Sequence, residues 1–161
     1  MEIKELLEVS PGNVLVVCGI ERKVAEVLRY TAKTSTWTNL VSLADTGREV
    51  VLEITAEEVR IYLEMSDLPL NAETMKPVAD IGVDVIIVHE SRRFEKDEGP
   101  SRAKTQSFTK EGIKPGEVRF AVFTPEDDEE SEELVAVEER NGRLVAYHSS
   151  GLVPLEDIQL K

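Results

Sequence analysis

With 161 residues, the chain is long enough to bury about two-thirds of its unfolded surface without disulfides or metal. A net charge of -13, from 32 acidic against 19 basic side chains, argues against nucleic acid or an anionic lipid surface as the main partner, since both are held through lysine and arginine. A single cysteine excludes an internal disulfide and fits a reducing, cytoplasmic setting.

Met1 to Glu8 alternates charged and apolar residues where a signal peptide would be continuously apolar, and no apolar run approaches the ~20 residues of a membrane span. A soluble protein without membrane insertion is therefore expected. Ile3, Leu6 and Leu7 have helical spacing, which predicts a short helical turn or docked arm over Glu2 to Glu8, ended by Ser10-Pro11-Gly12-Asn13. Val14 to Cys18 reads as a strand, with Cys18 continuing the apolar run and so read as a small buried hydrophobe. Val24 to Tyr30 reads as a second strand, although Val24, Ala25, Val27 and Leu28 also fit one face of a helix.

The stretch from Ser35 to Glu64 carries the clearest alternation. Trp37, Val41 and Leu43 share one strand face, interrupted by Asn39, and Val50, Leu52 and Ile54 share another. Asp45-Thr46-Gly47 between them supplies a turn. In Val59 to Glu64, Val59, Ile61 and Leu63 oppose Arg60, Tyr62 and Glu64, the pattern of an amphipathic strand. Ser66 to Asp80, with Pro69 and Pro77, reads as an ordered loop.

Val83 to His89 is nearly all apolar, as in a strand buried on both faces. Ser91 to Lys114 is polar and broken at Gly99-Pro100, with Phe94, Ala103 and Phe108 spaced for short strands, and Val118 to Phe123 is a further strand. Glu126 to Glu133 has seven carboxylates in eight residues and reads as a solvated loop. Leu134 to Arg140 and Arg143 to Tyr147 flank Asn141-Gly142, a pair suited to a two-residue hairpin turn with positive φ at both positions. Gly151 and Pro154 lead to a last apolar piece.

Many short alternating segments between turn signals predict an all-β chain, an antiparallel barrel or sandwich. The hairpins around Asp45-Thr46-Gly47 and Asn141-Gly142 resemble each other, and each follows a Pro-Gly-x-Val segment at Pro11 or Pro115. A single β domain over 1–161, duplicated as 10–65 and 83–160 about a 66–82 loop, accounts for this, as do two ordinary hairpins.

The chain resembles the prokaryotic domain-of-unknown-function family numbered 4178. The resemblance is carried by Pro11, Gly12 and Val14, the strand opened by Trp37, Asp45 and Gly47 at a turn, and Val51-Leu52-Glu53. Phe94, the Gly112 to Gly116 region, Val137-Glu138 and Gly151 leading to Ile158 continue it in the second half. Thr38, Asn39 and Val51 stand where members of that family often carry an acidic-aromatic pair and a second tryptophan. The resemblance implies a mostly β domain without an established activity, from gene neighbourhoods linked to membrane stress and polyamine-related enzymes.

No catalytic residue set, cofactor motif or metal-ligand spacing is legible. His89 and His148 are the two imidazoles, each ending an apolar strand, and His148-Ser149-Ser150-Gly151 lacks a nucleophile elbow. Two distant histidines and one cysteine do not make a zinc set, and the acidic run lacks calcium-loop spacing. Trp37 reads as core. Charge is segregated: Arg92 to Lys114 holds seven basic and four acidic residues. Arg92, Arg93, Lys96, Arg102 and Lys104 are the candidate interaction surface, with screening by the acidic loop as the competing account. The expected function is a non-enzymatic adaptor for another protein in the cytoplasm. The alternatives are a small-ligand or hydrolytic site near His89 or His148, and a homodimer through edge strands.

Overall fold

Alternation in the sequence becomes antiparallel sheet along nearly the whole chain. The computed structural model describes residues 1–31, 37–44, 49–65 and 78–161. Its elements are α1 (Ile3–Leu7), β1 (Val14–Val17), β2 (Ile20–Thr31), β3 (Trp37–Ala44), β4 (Val50–Ile54) and β5 (Val59–Glu64). They continue with β6 (Ile86–His89), β7 (Arg92–Thr109), β8 (Gly112–Pro125), β9 (Leu134–Arg140), β10 (Arg143–Leu152) and β11 (Ile158–Leu160). Short 3-10 turns span Val78–Asp80 and Leu155–Asp157. The protein is all-β and antiparallel, as the alternation predicts. The Asp45-Thr46-Gly47 turn, most of the 66–82 connection and the side chain of Trp37 lie outside the described residues.

Two compact units emerge. Unit 1 comprises Met1–Tyr62, Lys104–Gly116 and Leu152–Lys161; unit 2 comprises Leu63–Ala103 and Glu117–Gly151.

In unit 1 the strands lie in the order β11-β1-β2-β3-β4-β5, and Thr105 to Phe108 of β7 also pair with β2. The amide of Val153 donates to the carbonyl of Val59 at 2.8 Å, which ties the chain entering β11 to β5 and curls the row of strands back toward its start. Leu15, Val17, Val24, Val27, Val41, Leu43, Leu52 and Ile54 fill the core. A β-bulge between Val24 and Glu26 inserts a residue into β2, so the core-facing spacing becomes three at Val24 and Val27. That bulge is why the segment also fits a helix face.

Helix α1 covers one end of this core with Leu6, which is fully buried. Its carbonyl at Leu7 has no helical partner to accept from. Asn39 on β3 donates to it at 3.1 Å and Arg29 on β2 at 3.2 Å, while Arg29 Nε donates to Asn39 Oδ1 at 2.9 Å. The Arg29 guanidinium also lies over the Phe108 ring, 5.2 Å from its centre. Asn39, which interrupts an apolar row in the sequence, is thus a fully buried anchor for the N-terminal arm.

In unit 2 the order is β10-β9-β8-β7-β6, and Met65 donates to Ala146 O at 2.9 Å beside β10. Ile87, Phe94, Ala121, Phe123, Val135, Val137 and Ala146 face one another in its core, with Val78, Ile81 and Val85.

Several sequence expectations need correction. Cys18 is exposed, because the strand ends at Val17 and Cys18-Gly19 form a two-residue turn with φ of 49° and 80°. The run expected as a strand buried on both faces, Val83 to His89, is a strand only from Ile86. It pairs with β7 at one end of the sheet order, leaving Val83 82% and Val88 49% exposed. In β5 the buried side chains are Val59 and Tyr62, while Leu63 runs past the core and is exposed. Burial, followed by the Glu53 carboxylate, pushes the Tyr62 phenol well up. Residues 92–109 form one long strand rather than several short ones. Gly99 lets that strand pass the β8 backbone, since an added Cβ there would meet Phe120 O at 2.6 Å.

Candidate functional site

The candidate site is the polar rim of the unit 2 core. Side chains two apart share a strand face, so each core row can be followed outward. Ile87 leads to His89, Phe94 to Arg92, Val135 to Glu133 and Ala146 to His148. At each of these places the apolar row stops and a charged or imidazole side chain comes next, although His148, read from the sequence as ending its strand, lies inside β10, which runs on to Leu152.

The β6–β7 turn aims the first two. His89 and Arg92 are register partners around Glu90-Ser91, whose φ angles of 49° and 67° are both left-handed in non-glycine residues. That conformation costs about 1–2 kcal/mol per residue for an L-side chain. It closes the hairpin tightly and holds His89 beside β10. The chain has two histidines, and the fold brings them together: ring centres of His89 and His148 are 4.5 Å apart, tilted by 37°. Phe94 meets the His148 ring edge-on at 6.5 Å.

Glu133 joins imidazole to guanidinium. Its Oε1 lies 2.8 Å from His148 Nε2, and its Oε2 accepts from Arg92 Nη1. Burial would raise the Glu133 carboxyl, but the His148 hydrogen bond and the Arg92 charge outweigh it and hold the group below the usual carboxylate range. All four of Arg92, Glu133, His89 and His148 keep between 22% and 29% of their side-chain surface exposed. His89 Nε2 stands 4.0 Å from Glu90 Oε1 on the turn.

The acidic run 126–133 is tied to the same strands. Arg92 Nε donates to Asp127 Oδ1 at 3.2 Å, and its Nη2 is 4.0 Å from Asp128 Oδ2. Arg93 Nε donates to Glu126 Oε2 at 2.9 Å, and the Glu126 amide donates to Arg93 O at 3.0 Å. Within the run, Asp128 Oδ1 accepts from the Glu130 amide and Ser131 Oγ from the Glu133 amide.

Of the five basic residues expected to form one surface, Arg92 and Arg93 are therefore engaged with the acidic loop. Arg102 Nε is 3.3 Å from Glu117 Oε1, and neither Lys96 nor Lys104 has an ion-pair partner among the described residues. Lys104 belongs to unit 1 and the other four to unit 2.

Chemically, Glu133 orients His148 as a carboxylate orients a base in a catalytic triad. The serine next to it is aimed elsewhere. Ser149 is fully buried on the opposite strand face, and its hydroxyl donates to Gly151 O and accepts from the Gly151 amide. Among the described residues no group of three or more histidine, cysteine or carboxylate side chains is placed to hold a metal ion. In the sequence Phe94 reads as part of a strand and Asp127 and Glu133 as part of a solvated acidic run, none of the three with a place in a site. The signal that could have found Glu133 is its place two residues before Val135 in a core-facing row.

No helix among the described residues is long and apolar enough to cross a membrane. Comparison with protein-family models, curated proteins and solved structures returns no match.

Proposed function

We propose that this protein is a non-enzymatic interaction module, a cytoplasmic adaptor that meets another protein through the charged end of unit 2. The supporting observation is the opposed charge built there beside the β6–β7 hairpin: Arg92 and Arg93 against Glu126, Asp127, Asp128 and Glu133. Charges arranged this way steer encounters and select partners more than they add raw affinity. Lys96 and Arg102 extend the contact along the part of β7 that belongs to unit 2. The resemblance to the family numbered 4178 adds a role near membrane stress as the setting.

The test is partner retention on the immobilised protein across a salt series, native beside Arg93→Gln. Steering through exposed charges requires that retention fall steeply as salt shortens the screening length to a few ångströms. Retention that ignores both salt and the substitution would end this reading.

A second reading, a small-ligand or hydrolytic site, is favoured by the pairing of His89 with His148 and the orientation of His148 by Glu133. Its check is turnover of an activated ester by the native chain, abolished in His148→Ala. Equal rates in both chains would remove it.

A further inference from the structure

We propose that residues 126–133 act as a built-in competitor, occupying at Arg92 and Arg93 the contact that an acidic segment of a partner protein takes. The inference rests on the interaction-module reading and deepens it by naming the partner's chemistry.

The loop is seated by its carboxylates and by the hydrogen bond from the Glu126 amide to Arg93 O, a main-chain contact that side-chain exchange leaves in place. Between Pro125 and Leu134 every side chain is a carboxylate except Ser131, so no apolar group anchors it. The outer pairs are solvent-facing: the side chains are 60% and 35% exposed in Arg93–Glu126, and 29% and 72% in Arg92–Asp127. Exposed pairs of this kind hold weakly and are screened by salt. Glu133 differs, being more enclosed and shared between His148 and Arg92.

Exchange is therefore confined to Glu126, Asp127 and Asp128, with Glu133 as the fixed point. Those three consecutive carboxylates engage Arg93, Arg92 and Arg92 in turn. A guanidinium accepts one carboxylate as readily as another and can take two at once through its fork of donors. The internal occupant thus shows what the arginine pair accepts: consecutive aspartate and glutamate side chains, here presented from a turn at Glu126-Asp127. A nucleic acid would face the loop's own carboxylates and the overall charge of -13.

The experiment uses the full chain and a fluorescent peptide of sequence Glu-Asp-Asp-Glu-Glu, read by anisotropy at low ionic strength, with a lysine peptide as control. Neutralising the competitor, as E126Q/D127N/D128N, is expected to tighten acidic-peptide binding by about tenfold or more, since a tethered competitor acts at millimolar effective concentration. Adding Arg93→Gln or Arg92→Gln to that variant should remove the gain. If Arg92→Gln weakens the fold, Arg93→Gln, on an exposed side chain, still decides. No gain, a gain that survives Arg93→Gln, or preference for the lysine peptide overturns the proposal. Overturned here while salt-sensitive partner retention persists, only the competitor falls; if retention is also salt-blind, the module reading falls with it.

Discussion

A methyl group added at Gly99 would stand 2.6 Å from Phe120 O and 2.9 Å from Ala121 Cα, at a φ of +97°. At Gly142, with φ +75°, the same methyl meets nothing within 4 Å. Gly99→Ala should therefore cost about 2–4 kcal/mol and Gly142→Ala about 1 kcal/mol, since only the first adds a clash to the left-handed penalty. Equal losses in urea titrations would show that the β7–β8 approach is misjudged. Among the described residues Gly142 also belongs to a set of three two-residue turns with both φ positive: Cys18-Gly19, Glu90-Ser91 and Asn141-Gly142. Only the last was legible, because Asn-Gly advertises the conformation, whereas Cys18 looks like strand and Glu90-Ser91 carries no glycine. Glu133 makes the second residue-scale prediction. Its folded carboxyl titrates below an unfolded glutamate, whose value is about 4.3. The stability its contacts supply is thus complete above that value and lost as pH falls through the lower, folded one. Glu133→Gln should be less stable than the native chain at neutral pH, and the gap should narrow below about pH 4. A gap independent of pH would mean that the charge on Glu133 contributes nothing.

Elements were legible where period two ran unbroken, and misread where a bulge, an edge or a polar anchor interrupted it. Leu134 to Arg140 comes out as read, and the alternation over Val50 to Thr55 is a strand as far as Ile54. Val83 to Val85 does not, because an apolar run cannot say whether its end lies under the core or beside it. Asn39 looked like an interruption, yet it is the reason α1 stays in place. Asn39→Leu keeps the volume but takes away the donor to Leu7 O and the acceptor for Arg29 Nε. A buried polar group left without its partner costs about 1–3 kcal/mol. The loss should be local: amide exchange at Leu6, Glu8 and Val9 should speed up in Asn39→Leu while exchange in β8 to β10 stays as it was. Unchanged protection in the arm would show that apolar packing of Leu6 alone holds it.

At the scale of the whole chain, the sequence gives no hint that two cores are interleaved, because unit 1 is assembled from three separated segments and unit 2 from two. Hydrophobic periodicity reports which residues are buried, not which core receives them. The charged rim of unit 2 was hidden for the same reason: His89 and His148 are 59 positions apart and meet only because β6 and β10 contribute to one core. The division has a consequence for autonomy. Unit 1 cannot be cut out as a continuous piece, but unit 2 runs from Leu63 to Gly151 with a single excursion, Lys104–Gly116, where β7 and β8 extend as neighbours to their turn. Replacing that excursion by an Asn-Gly turn shortens the hairpin and leaves intact the buried core that the described residues of unit 2 form. Each large apolar side chain buried there stabilises by roughly 1.5–3 kcal/mol, and chains of about 60 residues or more can fold alone on such a core. The shortened 63–151 fragment is expected to unfold in urea through one cooperative transition and to retain the His148–Glu133 contact, seen as a shifted imidazole resonance that moves in Glu133→Gln. A broad, non-cooperative loss of signal would mean that these apolar rows do not form a core of their own, and that the rim built on them is not a self-contained site.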